Sequence, residues 1–244
     1  MKGHDVKIQD RLVVVLVSTR NPLNIGAAAR AMSNFGFEQL RVVSPFGPSF
    51  RETKSAVGAA ALLKRAQEYE TLAQAVADCS LVVGTTAARG RRLDHELISL
   101  PEAAGLLRRQ LRSGRVALLF GSEKRGLSNR DLSCCHWLIR IPTSQQQPSM
   151  NLGQAVAVCL YQLSQHRISR TETKRQANAR SEELDRVTAG LLDALRVCGY
   201  LESPLNPTSQ QKLQRFVRRL SLTQADAHLL LGMLRQMKWK MTKR

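Results

Sequence analysis

Three short stretches of the chain combine amide, hydroxyl, glycine and charged side chains at spacings that a plain scaffold does not need. The first is NPLNIGAAAR, which follows the apolar run Leu12–Val17 and places Asn24 and Arg30 in an otherwise small, apolar helix. Ligands of open α/β sheets bind beyond the carboxyl ends of the strands. This stretch is therefore a candidate binding site, and a solvated arginine is an equally good interpretation of Arg30 alone.

The second stretch is FGSEKRGL, in which a buried strand runs directly into Gly121, then Glu123, then Gly126. Glycine lets the backbone approach a ligand or another chain segment closely. The spacing matches neither a P-loop nor a dinucleotide-binding turn. By itself the stretch is also compatible with a tight turn that carries a surface glutamate.

The third stretch, IPTSQQQPSMNLGQ, starts where a strand ends at Ile141 and leads into a helix that is expected to begin near Asn151, with Ser149 as a candidate cap. A loop of this kind offers backbone amides and carbonyls that no sheet uses, and these groups can bind a flat heterocycle. The alternative is an ordinary solvent loop.

The elements around these stretches alternate between strand and helix. Apolar, β-type runs predict five strands, at Leu12–Val17, Leu40–Val43, Leu81–Val83, Val116–Phe120 and Trp137–Ile141. Helical patterns lie between and after them, at Asn24–Asn34, Ser55–Arg65, Thr71–Ala77, Pro101–Leu111 and Leu152–Gln165. This alternation predicts an α/β fold with a mostly parallel sheet flanked by helices.

After residue 168 the pattern becomes purely helical. Residues 169–180 have no apolar periodicity and are interpreted as a basic linker between an α/β domain at 1–168 and a small all-helical domain at 181–244. Ser181 is the expected cap of its first helix, and Thr223 with Asp226 predicts a capping box for its last. In that last helix Leu230, Met233, Leu234 and Met237 are expected to point inward, while the middle helix has its stripe at Leu213, Phe216, Val217 and Leu220.

The charge and composition of the chain limit the kinds of partner that it is expected to bind. The chain has 37 basic and 19 acidic side chains, a net charge of +18, and residues 169–244 carry 15 basic against 7 acidic side chains. This excess favours a nucleic acid over the alternative of a basic helix on a membrane surface. Neither a long apolar run nor a signal-peptide pattern is present, so we expect a cytoplasmic protein. Five irregularly spaced cysteines predict neither a disulfide framework nor a metal site.

Taken together and in this order, the three stretches resemble the motifs of the SPOUT class of RNA methyltransferases, in particular the TrmH-like ribose 2′-O-methyltransferases. The spacing and the basic helical extension are most similar to the bacterial TrmJ group, which modifies nucleotide 32 of the tRNA anticodon loop. The resemblance implies a parallel sheet with a deep C-terminal trefoil knot, a homodimer, S-adenosylmethionine as cofactor and tRNA as substrate. Ribosomal RNA as substrate, and a non-catalytic RNA-binding protein on the same scaffold, remain alternatives.

The resemblance also assigns roles to residues. The implied catalytic group is Arg30, Asn24, Ser149 and Asn151, and Glu123 and Gly126 are implied to hold the knot and the pocket. The implied cofactor pocket is Thr85, Thr86, Ala87, Gly121, Ile141, Pro148, Ser149 and Met150. The expected RNA contacts are Arg89, Arg91 and Arg92 after the cofactor loop, and Arg215, Arg218 and Arg219 in the extension. Arginine rarely gives up its proton, so Arg30 is expected to bind phosphate and stabilise an alkoxide rather than to act as a base.

Overall fold

The computed structural model describes residues 8–45, 50–51, 53, 55–87, 95–165, 178–201 and 206–243. These residues form one seven-stranded sheet, and every pair of neighbouring strands in it is parallel. The strand order is β3-β2-β1-β6-β4-β7-β5. The strands are β1 (Leu12–Val17), β2 (Gln39–Val43), β3 (Gln67–Tyr69), β4 (Leu81–Thr85), β5 (Leu97–Ser99), β6 (Val116–Phe120) and β7 (Trp137–Arg140). The predicted α/β class is confirmed, and the trefoil knot stays a prediction.

Ten helices accompany this sheet in the described part of the chain. Those of the α/β part are α1 (Ile8–Arg11), α2 (Pro22–Asn34), α3 (Ala60–Arg65), α4 (Leu72–Val76), α5 (Leu100–Ser113), α6 (Asn129–Ser133) and α7 (Leu152–Ser164). Those of the C-terminal part are α8 (Ser181–Val197), α9 (Pro207–Arg219) and α10 (Gln224–Thr242).

The interior strand β1 separates two apolar layers. Its side chains alternate between the faces, as side chains of any strand do, and all six residues are buried. Leu12, Val14 and Leu16 belong to the core that α2, α5 and α7 cover. Val13, Val15 and Val17 belong to the core under α4 and α6. Burial on both faces explains why this strand is an unbroken apolar run in the sequence.

The C-terminal helices lie against the layer that contains α4 and α6. The N–H groups of Ser181 and Glu182, in the first turn of α8, donate to the carbonyls of Cys79 (2.7 Å) and Ala77 (3.1 Å). From α6, the hydroxyl of Ser133 is 2.9 Å from Oε1 of Gln214 in α9. The helical part therefore has its own small core and is also hydrogen-bonded to the sheet domain. Residues 169–177 of the predicted linker lie outside the described residues. The domain boundaries at 168 and 181 stay a prediction.

Three helix starts differ from the sequence prediction. The cap of α2 is Asn21, which accepts from Leu23 N–H at 3.0 Å, so the helix begins at Pro22 instead of Asn24. Asn151, and not Ser149, caps α7 by accepting from Gly153 N–H at 2.9 Å. Ser181 is the first residue of α8 and not its cap. Because Asn21 and Asn151 are the caps, the side chains of Asn24 and Ser149 are available for other contacts.

The capping box of α10, Thr223 with Asp226, is confirmed. The inward face of this helix is only partly as predicted, because Leu234 is buried whereas Met233 and Met237 are exposed. In α9 only Val217 of the predicted stripe is buried, and Phe216 and Leu220 are exposed. A helical period fixes which residues share a face, but the width of the buried strip depends on how many neighbours the helix has.

A partly buried charge cluster of Arg41, Asp78 and Arg115 lies beside the first turn of α8. The carboxylate of Asp78 accepts from Nη1 and Nη2 of Arg41, at 2.6 and 2.9 Å, and also pairs with Arg115. Partial burial acts to raise the pKa of Asp78, but the two guanidinium groups outweigh it and hold that pKa well below its usual range. Arg41 is 4% exposed, so this carboxylate offsets the energetic cost of burying its positive charge.

His136, just before β7, is buried and accepts a hydrogen bond from Val82 N–H at its Nδ1 (3.1 Å). Burial, reinforced by the charge of Arg218, lowers the pKa of this ring to about 3. The unfolded chain instead protonates a histidine near pH 6.5. Because the unfolded state then binds more protons, the free energy of unfolding should fall as the pH drops from 6.5 towards 3.

We expect His136 to lower the free energy of unfolding by roughly 2 kcal/mol at pH 5 relative to pH 7. Urea unfolding of the wild type and of the variant His136→Gln at both pH values measures this difference. Glutamine keeps an acceptor for Val82 N–H and does not titrate, so the variant should lose most of the pH dependence above pH 5. An unchanged pH dependence in the variant would contradict the assignment.

Candidate active site

A cavity of about 360 Å³ opens at the carboxyl ends of β4, β6 and β7. It is lined by all eight residues that the sequence analysis named for a cofactor pocket: Thr85, Thr86, Ala87, Gly121, Ile141, Pro148, Ser149 and Met150. They come from three segments that are far apart in the chain. The parallel strand order brings these segments together, because β4 lies between β6 and β7 in the sheet.

The first wall of the cavity continues β4. The hydroxyl of Thr85 donates to the carbonyl of Leu119 on β6 at 2.9 Å. The N–H of Thr86 donates to the carbonyl of Ile139 on β7 at 3.0 Å. These two bonds hold the end of β4 to both neighbouring strands, so this wall is fixed by the sheet itself.

The second wall is the loop Gly121–Leu127, which returns on itself directly after β6. Gly126 N–H donates to the carbonyl of Ser122 at 2.8 Å, and Gly126 has a φ of +66°, in the left-handed region that favours glycine. A Cβ on Gly121 would lie 2.1 Å from the carbonyl carbon of Gly126 and from the nitrogen of Leu127. Glycine at 121 is therefore required by a backbone-to-backbone contact inside the loop.

A chain of side-chain hydrogen bonds joins the three sequence stretches. Asn151 Nδ2 donates to Asn24 Oδ1 at 3.1 Å, and Asn24 Nδ2 donates to Glu123 Oε1 at 2.7 Å. The other amide oxygen of the chain, Asn151 Oδ1, caps α7. Each amide is thus held in one orientation by a partner on each side. Of the predicted catalytic residues, the structure places Asn24 and Asn151 in contact with each other and Ser149 in the cavity wall.

The carboxylate of Glu123 anchors this chain. Partial burial acts to raise the pKa of Glu123, but hydrogen bonds from the Asn24 amide and from the backbone N–H groups of Glu123, Arg20 and Asn21 lower it below the usual value. Glu123 is therefore charged at neutral pH and acts here as an acceptor. The hydrogen bond from Asn24 joins the loop after β6 to α2; the role in holding the pocket that the family resemblance implies for Glu123 stays a prediction.

The third wall is the loop between β7 and α7. The hydroxyl of Thr143 donates to the carbonyl of Pro148 at 3.1 Å, which closes the glutamine-rich segment into a compact turn. Behind it, α7 lies close to α2, because a Cβ on Gly153 would be 2.7 Å from the Cβ of Ala27. The small residues of both helices therefore allow the close helix packing that brings Asn151 within hydrogen-bond distance of Asn24.

Arg30 lies away from these walls. It is exposed on α2, six residues beyond Asn24, which corresponds to about 9 Å along a helix axis. Of the residues that the structure describes, those lining the cavity do not include Arg30. The structure of one chain thus brings together the predicted pocket but not all of the predicted catalytic group.

The predicted RNA-contact residues differ in whether the structure describes them and in how exposed they are. Arg89, Arg91 and Arg92 lie outside the described residues. Arg219 is exposed and Arg215 is half-buried. The expectation for Arg218 is corrected: it is 1% exposed, and its guanidinium pairs with Asp185 of α8 at 2.7 Å. It ties two helices together and is not accessible to RNA in this structure.

Sequence reasoning missed two cavity residues that carry charge. Lys124 and Arg125, on the glycine loop, line the cavity and are exposed. They lie between Gly121 and Gly126, the two glycines of the FGSEKRGL stretch. Two adjacent basic residues inside a glycine-bounded turn at the end of a strand were the available signal.

Two further properties of the described part of the chain bear on function. In that part, no group of three or more histidine, cysteine, aspartate or glutamate side chains is arranged to hold a metal ion. The helices described here also include none with the length and apolarity needed to cross a membrane.

The sequence of this chain is also similar to that of a known protein family and of named relatives. The sequence profile of the family described as SpoU rRNA Methylase matches residues 11–161. The chain is 34% identical to the tRNA (cytidine/uridine/adenosine-2′-O-)-methyltransferase TrmJ of Pseudomonas aeruginosa, with 92% of this chain and 93% of that protein covered. It is 32% identical to the tRNA (cytidine/uridine-2′-O-)-methyltransferase TrmJ of Sodalis glossinidius, with 91% and 89% covered.

Among solved structures, the crystal structure of TrmJ from Z. mobilis ZM4 is similar over nearly the whole molecule. The TM-score is 0.82 at 32% sequence identity, and the match covers 93% of this chain and 98% of that one. The similarity therefore extends beyond the sheet domain into the C-terminal helices.

Proposed function

The chain belongs to the SpoU methylase family, and on that premise we propose that it is an S-adenosylmethionine-dependent methyltransferase acting on the 2′-hydroxyl of a ribose in tRNA. The observation that carries the proposal is the cavity at the ends of β4, β6 and β7, which all eight predicted cofactor residues line. Two relatives that match more than 90% of the chain bear the name of tRNA ribose methyltransferases.

The cavity suits the proposed cofactor in size and in lining. Its volume of about 360 Å³ lies in the range of small-molecule sites. Ile141, Met150 and Leu152 supply apolar surface, and the segments around Thr86, Gly121 and Ser149 supply polar groups of the backbone and side chains. When bound, S-adenosylmethionine supplies a methyl group that its sulfonium already activates, so the protein has to align the two reactants.

The amide chain supplies that alignment in our proposal. Glu123 fixes Asn24, and Asn24 fixes Asn151, so their amides are set before a substrate arrives. Ser149 lies in the cavity wall next to this chain. We assign Asn24, Asn151 and Ser149 to positioning the ribose beside the methyl group, and Lys124 and Arg125 at the cavity to its flanking phosphates.

Arg30 has the remaining role, which is to stabilise negative charge as the 2′-oxygen attacks. A guanidinium keeps its proton, so it acts as a cation and hydrogen-bond donor to the developing alkoxide or to the neighbouring phosphate. Since Arg30 is exposed and does not line the cavity of its own chain, we propose that the protein is a homodimer in which Arg30 reaches the pocket of the partner subunit.

The relatives also support the nucleotide. We propose cytidine or uridine, which the names of the TrmJ relatives include, at position 32 of the anticodon loop, which follows from the resemblance to the TrmJ group. The Pseudomonas aeruginosa protein is named for adenosine as well. A 2′-hydroxyl presents the same chemistry on every nucleotide, so the choice of base depends on contacts outside the reacting group. A tRNA substrate agrees with the expected cytoplasmic location.

Methyl transfer from radiolabelled S-adenosylmethionine to unmodified total tRNA, and in parallel to ribosomal RNA, tests the proposal. We expect label in tRNA, at the first nucleotide of the anticodon loop, and resistance of that linkage to alkaline hydrolysis because the 2′-oxygen is methylated.

The other outcomes separate the alternatives. Label confined to ribosomal RNA would keep the reaction and replace the substrate. Cofactor binding by calorimetry without transfer to either RNA would point to the non-catalytic RNA-binding alternative. The absence of both cofactor binding and transfer would overturn the proposal.

A further inference from the structure

The C-terminal helices α8 and α10 enclose a groove of about 650 Å³ on the outside of the helical part. Its walls are almost wholly apolar and consist mainly of Leu191, Leu195, Leu234, Met237, Trp239 and Met241. Met237 and Trp239 are each more than half exposed. An apolar groove that stays open to solvent beside such residues is typical of an interaction site.

The charge around the groove is positive. From Ala227 onward α10 contains no acidic residue and carries Arg235, Lys238 and Lys240, and Lys243 follows directly after the helix. On α8, Asp193 is already matched by Lys238 Nζ at 2.9 Å and by Arg196 at 3.9 Å. Lys240 itself lines the groove. The groove is thus apolar inside and cationic at its rim, which suits a partner with flat apolar groups on an anionic backbone.

Trp239 is the feature that distinguishes between such partners. The Nζ of Lys243 lies 4.3 Å from the centroid of its ring, so an aromatic face and an ammonium group stand together at the surface. Proteins that bind unpaired nucleotides combine these two groups, because the base stacks on the ring and the cation meets the phosphate. A continuous duplex keeps the faces of its bases in the stack, so it offers phosphates, 2′-hydroxyls and base edges but no base face to an aromatic ring.

We propose that this groove binds an unpaired nucleobase of the RNA substrate, with Trp239 as the stacking surface and Lys240 and Lys243 at the adjacent phosphates. The inference rests on the proposed function in taking RNA as the substrate, and it adds a base-binding site on helices that the reaction chemistry does not use. A second copy of the chain fits the groove less well, because a two-fold pairing of α10 would place its cationic rims against each other.

The experiment compares two RNA probes with the full-length protein. One is a hairpin with the length of a tRNA anticodon arm, and the other is a blunt duplex with the same number of phosphates. For Trp239→Ala we expect about tenfold weaker binding of the hairpin and unchanged binding of the duplex, measured by fluorescence anisotropy. Trp239→Phe keeps an aromatic face and should retain most of the hairpin affinity.

Two control variants separate stacking from charge and from surface change. Lys240→Gln should weaken both probes and lower the slope of log affinity against log salt by about 1. Leu229→Ala removes an equally exposed apolar side chain from α10 outside the groove, and it should change neither affinity.

Three results would overturn the proposal. The first is an unchanged affinity of Trp239→Ala for the hairpin, and the second is an equal loss of affinity of this variant for the hairpin and the duplex. The third is a sedimentation coefficient that differs between the RNA-free wild type and RNA-free Trp239→Ala, which would assign the groove to a second copy. Methyl transfer is recorded separately. If the wild type methylates tRNA and Trp239→Ala binds the hairpin normally, only the proposal for the groove is refuted. If the hairpin binds through Trp239 but the wild type transfers no methyl group, only the proposed reaction is refuted.

Discussion

Replacing Arg30 with alanine is expected to reduce methyl transfer by a factor of about 100 to 1,000 while leaving cofactor binding and folding unchanged. The reduction corresponds to the loss of one charged donor aimed at an oxyanion. Folding should not change, because Arg30 is exposed on α2 and substitutions at such positions have small effects on stability. Single-turnover transfer to tRNA, calorimetric titration with S-adenosylmethionine and thermal unfolding measure the three quantities.

The variant Arg30→Lys refines this expectation. Lysine keeps the positive charge but loses the planar, two-pronged donor geometry of a guanidinium. We expect it to recover part of the lost rate if Arg30 acts electrostatically. Activity of Arg30→Ala close to that of the wild type would remove this residue from the reaction.

A second large effect is expected for Gly121→Ala. The new Cβ would meet the backbone of Gly126 and Leu127 at 2.1 Å, and neither of these groups can rotate away. The loop must then shift, and with it the cavity wall and Glu123. Misplacement of a reacting pair by about 1 Å costs about 100-fold in rate, and overpacking of this kind lowers the free energy of unfolding by about 1–3 kcal/mol. We expect transfer and cofactor affinity to fall together.

Gly105→Ala is the matched control. Gly105 lies inside α5, and an added Cβ there meets no atom within 4 Å. Because alanine is the better helix former, this variant should be slightly more stable, by about 1 kcal/mol, and fully active. Equal behaviour of the two glycine variants in denaturant unfolding and in cofactor titration would contradict the role given to the loop.

The variants Arg30→Ala and Gly121→Ala, when mixed, also test the proposed homodimer. If Arg30 serves the pocket of the partner subunit, a mixed dimer of Arg30→Ala and Gly121→Ala contains one site with both an intact pocket and an intact arginine. Mixing the two inactive proteins under conditions of subunit exchange should then restore a fraction of the wild-type rate. No restoration, with mixed dimers present, would place Arg30 and the pocket of one chain in the same site.

Much of this architecture could be predicted from the sequence because burial on both faces leaves a strong pattern. Leu12–Val17 and Val116–Phe120 were predicted with the bounds that the structure has. The strands β3 and β5 were not predicted. Each has three residues at or near a sheet edge, and β3 begins with the exposed pair Gln67 and Glu68, so no apolar pattern marks it.

The site was predictable as a set of residues and not as an arrangement. The resemblance to a known family named the eight cavity residues, and loops at the carboxyl ends of parallel strands meet, which explains why they line one cavity. It did not reveal that Asn21 caps α2, which frees Asn24 to bond to Glu123. The Pro22 that follows Asn21 was the local signal, because proline is favoured in the first turn of a helix.

Arg218 shows a different limit. A helical period places Arg215, Arg218 and Arg219 around the apolar strip of α9, but it does not say which neighbouring helix lies beside each of them. The burial of Arg218 depends on Asp185 of α8, more than thirty residues away in the chain. Long-range pairing of this kind leaves no mark on the local pattern of either helix.

The strand order has a consequence for how the molecule reaches its fold. Val14 of the interior strand β1 pairs with Leu118 of the central strand β6, so the middle of the sheet cannot form until about 100 more residues have been made. At ribosomal rates of about 5–20 residues per second, one edge of an all-apolar strand waits roughly 5–20 seconds for its neighbour. Distant parallel pairing also slows folding itself. The nascent chain is thus most prone to aggregation during that interval, before β6 covers β1.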